Sequence, residues 1–110
     1  MSKLSNWTDY NRKEREYIYT RDNYECVYCH STYNLQVMHI FLSRAQMGHG
    51  VRQNGCLGCI NCHSLIDNSI GNNNRLEGIK RLDYCKKYLI EKENIQDVDK
   101  LIKELRFKKW

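Results

Sequence analysis

The 110-residue chain has no proline, no internal repeat and no low-complexity tract, so nothing in it marks a spacer between domains. One domain spanning 1–110 is therefore expected. No stretch approaches the roughly 20 apolar residues of a membrane-spanning helix, so no membrane partner is expected. Residues 1–10 lack the apolar core of a secretory signal. That absence sets the expectation of an intracellular, reducing location, where disulfides are rare. No helix-turn-helix or other separate sequence-reading module is recognisable.

What is present is charge and cysteine. Eighteen Lys and Arg against thirteen Asp and Glu give a net charge of +5, with a pI near 8.9 and a mean hydropathy of −0.76. A basic excess of this size suits a polyanionic partner, although many soluble domains carry as much. A chain this short buries only roughly 60 to 70% of its unfolded surface, so its core is modest. Six cysteines in such a chain, without a secretory signal, point to metal thiolates rather than to disulfides.

Local patterning divides the chain into short elements. Residues 7–21 read as a helix capped by Thr8, with Tyr10, Tyr17 and Ile18 on one face and Asp22-Asn23 as the stop. Leu35, Val37, Ile40 and Phe41 suggest a strand over 33–41. Residues 43–55 read as a loop, and 62–68 as the opening of a helix with Leu65 and Ile66 inward. The polar stretch 69–74 is a break. Beyond it, Leu76, Ile79, Leu82, Cys85 and Leu89 recur at helical spacing. Asp97 can cap a last helix burying Val98, Leu101, Ile102 and Leu105, which ends in the basic, aromatic run R-F-K-K-W at 106–110.

Four cysteines form two C-x-x-C pairs, Cys26/Cys29 and Cys59/Cys62, with 29 residues between them. Two such turns can complete a tetrahedral site for a structural Zn²⁺, whose binding supplies folding free energy that a small core lacks. Cys56/Cys59 is a competing C-x-x-C. The Cys59/Cys62 register is preferred because His63 follows at a helix start, leaving Cys56 as a buried strand cysteine and Cys85 on an apolar helix stripe. His63 could also join three cysteines in a zinc site, at the cost of a surplus cysteine.

His39, Asn54 and His63 are interleaved with these pairs. With L-Q-V-M-H-I at 35–40 and C-I-N-C-H-S-L-I-D at 59–67, residues 26–68 resemble the HNH endonucleases of the ββα-metal class. Phage-borne and mobile-element members look most similar, around H-I-F-L-S-R at 39–44 and C-H-S-L-I-D-N at 62–68, which implies a bacterium or a phage-infected host. The resemblance implies a small α+β fold: a ββα-metal hairpin-helix core at 26–68, stapled by zinc. An N-terminal helix and a two-helix extension over 75–110 would flank it. It further implies that His39 is the general base, that Asn54 fixes the loop and orients His39 through a backbone hydrogen bond, and that His63 binds a divalent ion, Mg²⁺, Mn²⁺ or Ni²⁺. DNA is the implied partner. A histidine suits the base because its pKa lies near neutrality.

The pattern departs from the family at Met38. Many members place an acidic residue or histidine there as a ligand of the catalytic ion, and a thioether is a poor ligand for Mg²⁺ or Mn²⁺. Asp67 stands one helical turn after His63 and can share an ion with it; the competing reading is a solvated or capping carboxylate. Arg44 is placed to clamp a phosphate or to be a surface charge. His49 reads as a solvated loop residue, and His30 has no assigned role. The expected function is metal-dependent DNA cleavage by one metal, as nicks or double-strand cuts; a double-strand cut requires a homodimer or two successive nicks. The alternative is a catalytically impaired zinc-bound module that binds DNA or protein.

Overall fold

A computed structural model describes residues 7–67 and 75–108. The described elements are helix α1 (Arg12–Arg21), strand β1 (Leu35–His39), a 3₁₀ turn (Arg52–Asn54), strand β2 (Gly55–Cys59), and helices α2 (Ile60–Asp67), α3 (Arg75–Lys92) and α4 (Val98–Phe107). This is a small α+β fold with four helices, one two-stranded antiparallel sheet and a four-cysteine cluster. None of the described helices is long and apolar enough to cross a membrane. The polar stretch 69–74, Asn68 and the last two residues of the R-F-K-K-W run lie outside the described residues.

α1 starts later than its sequence pattern suggests. Its N-cap is Asn11, whose side chain accepts the Glu14 N–H at 2.9 Å. Thr8 is fully buried and is not the cap of α1; the backbone there is committed elsewhere. The Trp7 carbonyl accepts the Gly50 N–H, and the Thr8 carbonyl accepts from His39. Tyr10 likewise precedes the helix; its ring rests on Gly55, where any Cβ would come within 2.7 Å of it. Within the helix, Ile18 is the buried residue.

The far end of α1 is tied down by charge. Arg21 pairs with Asp22 at 2.7 Å and donates to the Gly55 carbonyl at 2.6 Å. Asp22 in turn accepts from the Leu57 N–H of β2 and from the Tyr88 hydroxyl of α3. The stop residue of α1 is thus also the joint between helix, sheet and α3, with its buried carboxylate satisfied on all sides.

β1 is shorter than the stretch 33–41. It pairs with β2 from Leu35 opposite Cys59 to His39 opposite Gly55, after which the Phe41 and Leu42 N–H groups turn to the side chain of Asn54. Met38 is fully buried, its sulfur lying where a Cβ on Gly58 would fall within 2.3 Å. It belongs to the main core with Ile40, Cys56, Cys85, Leu89, Leu101 and Leu105.

α2 begins at Ile60, so Cys62 stands in its first turn; Ile66 is buried and Leu65 only half-buried. In α3 the buried stripe is Gly78, Cys85 and Leu89, with Leu82 half-buried against the core. Leu76 is 82% exposed and does not belong to it: residues 78, 82, 85 and 89 keep helical register, whereas residue 76 falls on the outer face. α3 packs along α2. α4 is capped by Asp97, as its sequence suggests, and buries Leu101 and Leu105.

Candidate functional site

The two C-x-x-C turns meet at the base of the hairpin. The sulfurs of Cys26, Cys29, Cys59 and Cys62 all lie within 4.8 Å of one another, so they could hold a metal such as Zn²⁺. With Zn–S bonds of about 2.3 Å, tetrahedral geometry needs sulfurs about 3.8 Å apart, and the Cys29 and Cys59 sulfurs are 3.5 Å apart. In each knuckle an N–H points back at the first sulfur: Cys29 to Cys26 at 3.5 Å and Cys62 to Cys59 at 3.4 Å. Burial opposes ionisation of Cys26, but the backbone amides of Cys29, Cys59 and Tyr28 outweigh it and bring its thiol down to about 7. Burial pushes Cys29 and Cys62 upward.

Cys56 is fully buried in β2 and stands apart from this cluster, beside Cys85. The grouping is that of the Cys59/Cys62 register. One participant carried no sequence signal. Arg81 of α3 donates to the Cys62 sulfur at 3.0 Å while lying 4.8 Å from the Tyr28 ring centroid. It places a positive charge on a site whose four thiolates with Zn²⁺ would carry a net charge of about −2.

Four of the polar residues singled out in the sequence gather beside the hairpin. His39, Arg44, His63 and Asp67 line one cleft of about 720 Å³, together with Gln36 and Arg15. His39, at the end of β1, is half-buried. Its Nε2 donates to the Thr8 carbonyl at 2.8 Å and its ring leans on Tyr10, centroids 4.9 Å apart. Because a carbonyl can only accept, Nε2 carries the proton and Nδ1 keeps the lone pair of the neutral ring. Burial lowers the pKa of His39; the Thr8 bond opposes this, and the Arg44 and His63 charges add to it.

His63 stands in α2 with Nδ1 hydrogen-bonded to Gln36 Oε1 and Nε2 3.1 Å from Asp67 Oδ2. With Nδ1 donating to Gln36, Nε2 meets the carboxylate as a donor only in the charged ring; a shared cation satisfies the pair equally. Two ligands bound at right angles at about 2.1 Å stand about 3.0 Å apart, so a pair at this ion-pair distance could also share one divalent ion. Gln36 then holds His63 in the tautomer that leaves Nε2 open. Gln36 carried no motif signal, because only the crossing of β1 by α2 brings it to His63. Met38, expected from its thioether to be a poor metal ligand, is buried in the core.

Asn54 is fully buried and acts on the loop, not on the His39 ring. Its Oδ1 accepts from the N–H groups of Phe41 and Leu42 at 2.8 and 3.0 Å, and its Nδ2 donates to the Leu42 carbonyl at 2.9 Å. The His39 ring itself is held by the Thr8 carbonyl. Asn54 contributes indirectly: its own carbonyl accepts the Ile40 N–H and the Tyr10 hydroxyl.

Arg44 lies at the cleft rim, 62% exposed at its side chain, with Nη2 3.2 Å from Asp9 Oδ1. His49, which its sequence context suggests is solvated, is half-buried; it stacks on Trp7 at 4.0 Å and bonds the Trp7 carbonyl through Nδ1. His30 pairs with Glu25 away from the cleft. Comparison with family models, with curated proteins and with solved structures finds no match to this chain.

Proposed function

We propose that this cleft hydrolyses phosphodiester bonds of DNA as an HNH-type site. The β1–β2 hairpin and α2 would be its ββα-metal core, and Zn²⁺ on Cys26, Cys29, Cys59 and Cys62 its staple. The observation that carries this reading is the convergence of His39, the His63–Asp67 pair and Arg44 in one cleft. His39 Nδ1 takes a proton from the water that attacks phosphorus; the new P–O bond forms as the bond to the leaving oxygen breaks, and solvent protonates that oxygen. Thr8 holds His39 in the required tautomer. Arg44 offers its guanidinium to the non-bridging oxygens.

His63 and Asp67 would hold Mg²⁺, Mn²⁺ or Ni²⁺, with Gln36 fixing His63. The ion, when bound, supplies positive charge against the phosphate and the leaving oxygen. With only two protein ligands, affinity in the absence of DNA is expected to be weak. Incubating plasmid with the protein and each of these ions tests the reading: nicked or linear product is expected with wild type and none with His39→Ala. Product persisting in His39→Ala overturns the mechanism.

The alternative, a zinc-bound module that binds DNA or protein without cutting, is favoured by one observation. Met38 is wholly in the core, so the position before His39 offers no third ligand. Plasmid left intact under every metal, with DNA still bound, selects this reading.

A further inference from the structure

The cleft continues into a second groove of about 490 Å³ along the outer face of α1, lined by Tyr10, Arg15, Tyr19 and Tyr24 with Arg12 and Glu16. Tyr10, Arg15 and Tyr19 line both, so the two adjoin. Resting on the nucleic-acid reading above, we propose that this groove is a base-stacking subsite that favours unpaired DNA, taking the nucleotide beside the scissile phosphate out of the duplex and onto the tyrosines.

Three observations carry it. Tyr24 offers an open face, 60% exposed, and stands 5.8 Å at 57° from the half-buried ring of Tyr19. A backbone bond from the Tyr24 N–H to the Tyr19 carbonyl, at 3.0 Å, holds the turn that presents them. Base–aromatic stacking of this kind is tolerant of sequence and needs bases free of a duplex.

The groove also has an origin at the reacting centre. Tyr10, at its inner end, touches the His39 ring and is pinned by its hydroxyl to the Asn54 carbonyl. A base on these rings therefore leaves its phosphate near His39 and Arg44. The charge is of the right sign as well. Arg12 is partly neutralised by Glu16 at 3.0 Å, but Arg15 forms no ion pair among the described residues and stands where both clefts meet. The volume lies within the roughly 300 to 1,000 Å³ of small-ligand sites, enough for one base and its sugar.

The test is fluorescence anisotropy with labelled twelve-nucleotide poly-thymidine DNA and a duplex of the same length, with neither added divalent ion nor chelator. The single strand is expected to bind more tightly. Tyr19→Ala and Tyr24→Ala should each weaken it by about 5- to 150-fold, while Tyr24→Phe binds like wild type. Tyr24→Leu, which keeps apolar bulk without a π face, should behave like Tyr24→Ala. Arg15→Ala should reduce the salt slope by roughly 0.7. Zinc content and melting temperature are measured for each variant, to separate lost folding from lost stacking. Equal affinity for the duplex, or folded Tyr19→Ala and Tyr24→Leu proteins that bind the strand like wild type, overturns the subsite. Plasmid cleavage with undiminished strand binding by these variants would leave the nuclease reading standing alone. Ring-dependent strand binding without cleavage under any metal would leave the subsite standing alone.

Discussion

His63 Nε2 and Asp67 Oδ2 face each other at 3.1 Å across one turn of α2, while Gln36 of β1 takes the other nitrogen of the same ring. With Nδ1 donating to the Gln36 oxygen, a neutral His63 turns a lone pair towards the carboxylate, and a proton or a cation between them would satisfy both.

If the cation is a divalent metal, Asp67→Ala removes a ligand and Gln36→Ala removes the group that orients one. Mn²⁺ affinity, followed by electron paramagnetic resonance, should fall by about tenfold or more in each, and cleavage at limiting metal should fall with it. Unchanged Mn²⁺ affinity in Asp67→Ala would show that the carboxylate is only a partner of the charged imidazole.

The pH profile should carry the mark of His39. Its folded-state pKa is lowered, chiefly by burial, so the neutral base persists below the ordinary value of about 6.5. Single-turnover cleavage should therefore rise with pH through a midpoint below that value, and a midpoint above it would contradict the assignment. Stability follows the same sign. Between the lowered pKa and about 6.5 the unfolded chain binds the proton more readily, so the contribution of His39 is complete above that window and is lost as pH falls through it.

Zinc content should distinguish the cysteines. Cys62→Ser should lose the metal, and a strong chelator should unfold the wild type, because binding and folding are coupled in so small a core. Cys56→Ser should keep its zinc and lose about 1 to 3 kcal/mol from a hydroxyl placed in the apolar interior. The reverse pattern, measured by elemental analysis, would move the staple to Cys56 and Cys59.

Arg81 should hold that metal by charge. Its N–H reaches the Cys62 sulfur at 3.0 Å, and charge-assisted bonds of this kind are among the stronger ones. Arg81→Ala should release zinc to a colorimetric chelator several-fold faster, with Arg81→Lys between the two. Identical release rates would reduce Arg81 to a packing residue on Tyr28.

Asn54→Ala should destabilise the protein whatever its effect on cleavage. The change leaves the buried backbone groups of Phe41 and Leu42 without partners. Each such group costs about 1 to 3 kcal/mol, and a total near 3 kcal/mol lowers Tm by roughly 10 to 20 °C in a domain this size. A Tm within about 2 °C of wild type would show that water replaces the side chain at no cost.

Spacing alone determined a good deal of this protein. The C-x-x-C spacing narrowed the clustering sulfurs to two registers, of which His63 at a helix start favoured the one found, since each knuckle is a local turn whose geometry depends on few other residues. Asp97 and the spacing of Leu101 and Leu105 placed α4 for the same reason, and the four-residue step from His63 to Asp67 put both on one face of α2. What depended on distant partners could not be read this way. Thr8 looks like a helix cap and is instead the acceptor for His39, because the loop carrying Gly50 and the end of β1 claim the carbonyls of residues 7 and 8. Met38 sits beside His39 in sequence but points into the core, because the alternation of β1 sends its neighbour to the opposite face. Gln36 and Arg81 have no local signature at all. They matter because β1 crosses α2 and α3 packs along it, and only the tertiary fold brings a neutral amide to an imidazole and a guanidinium to a thiolate.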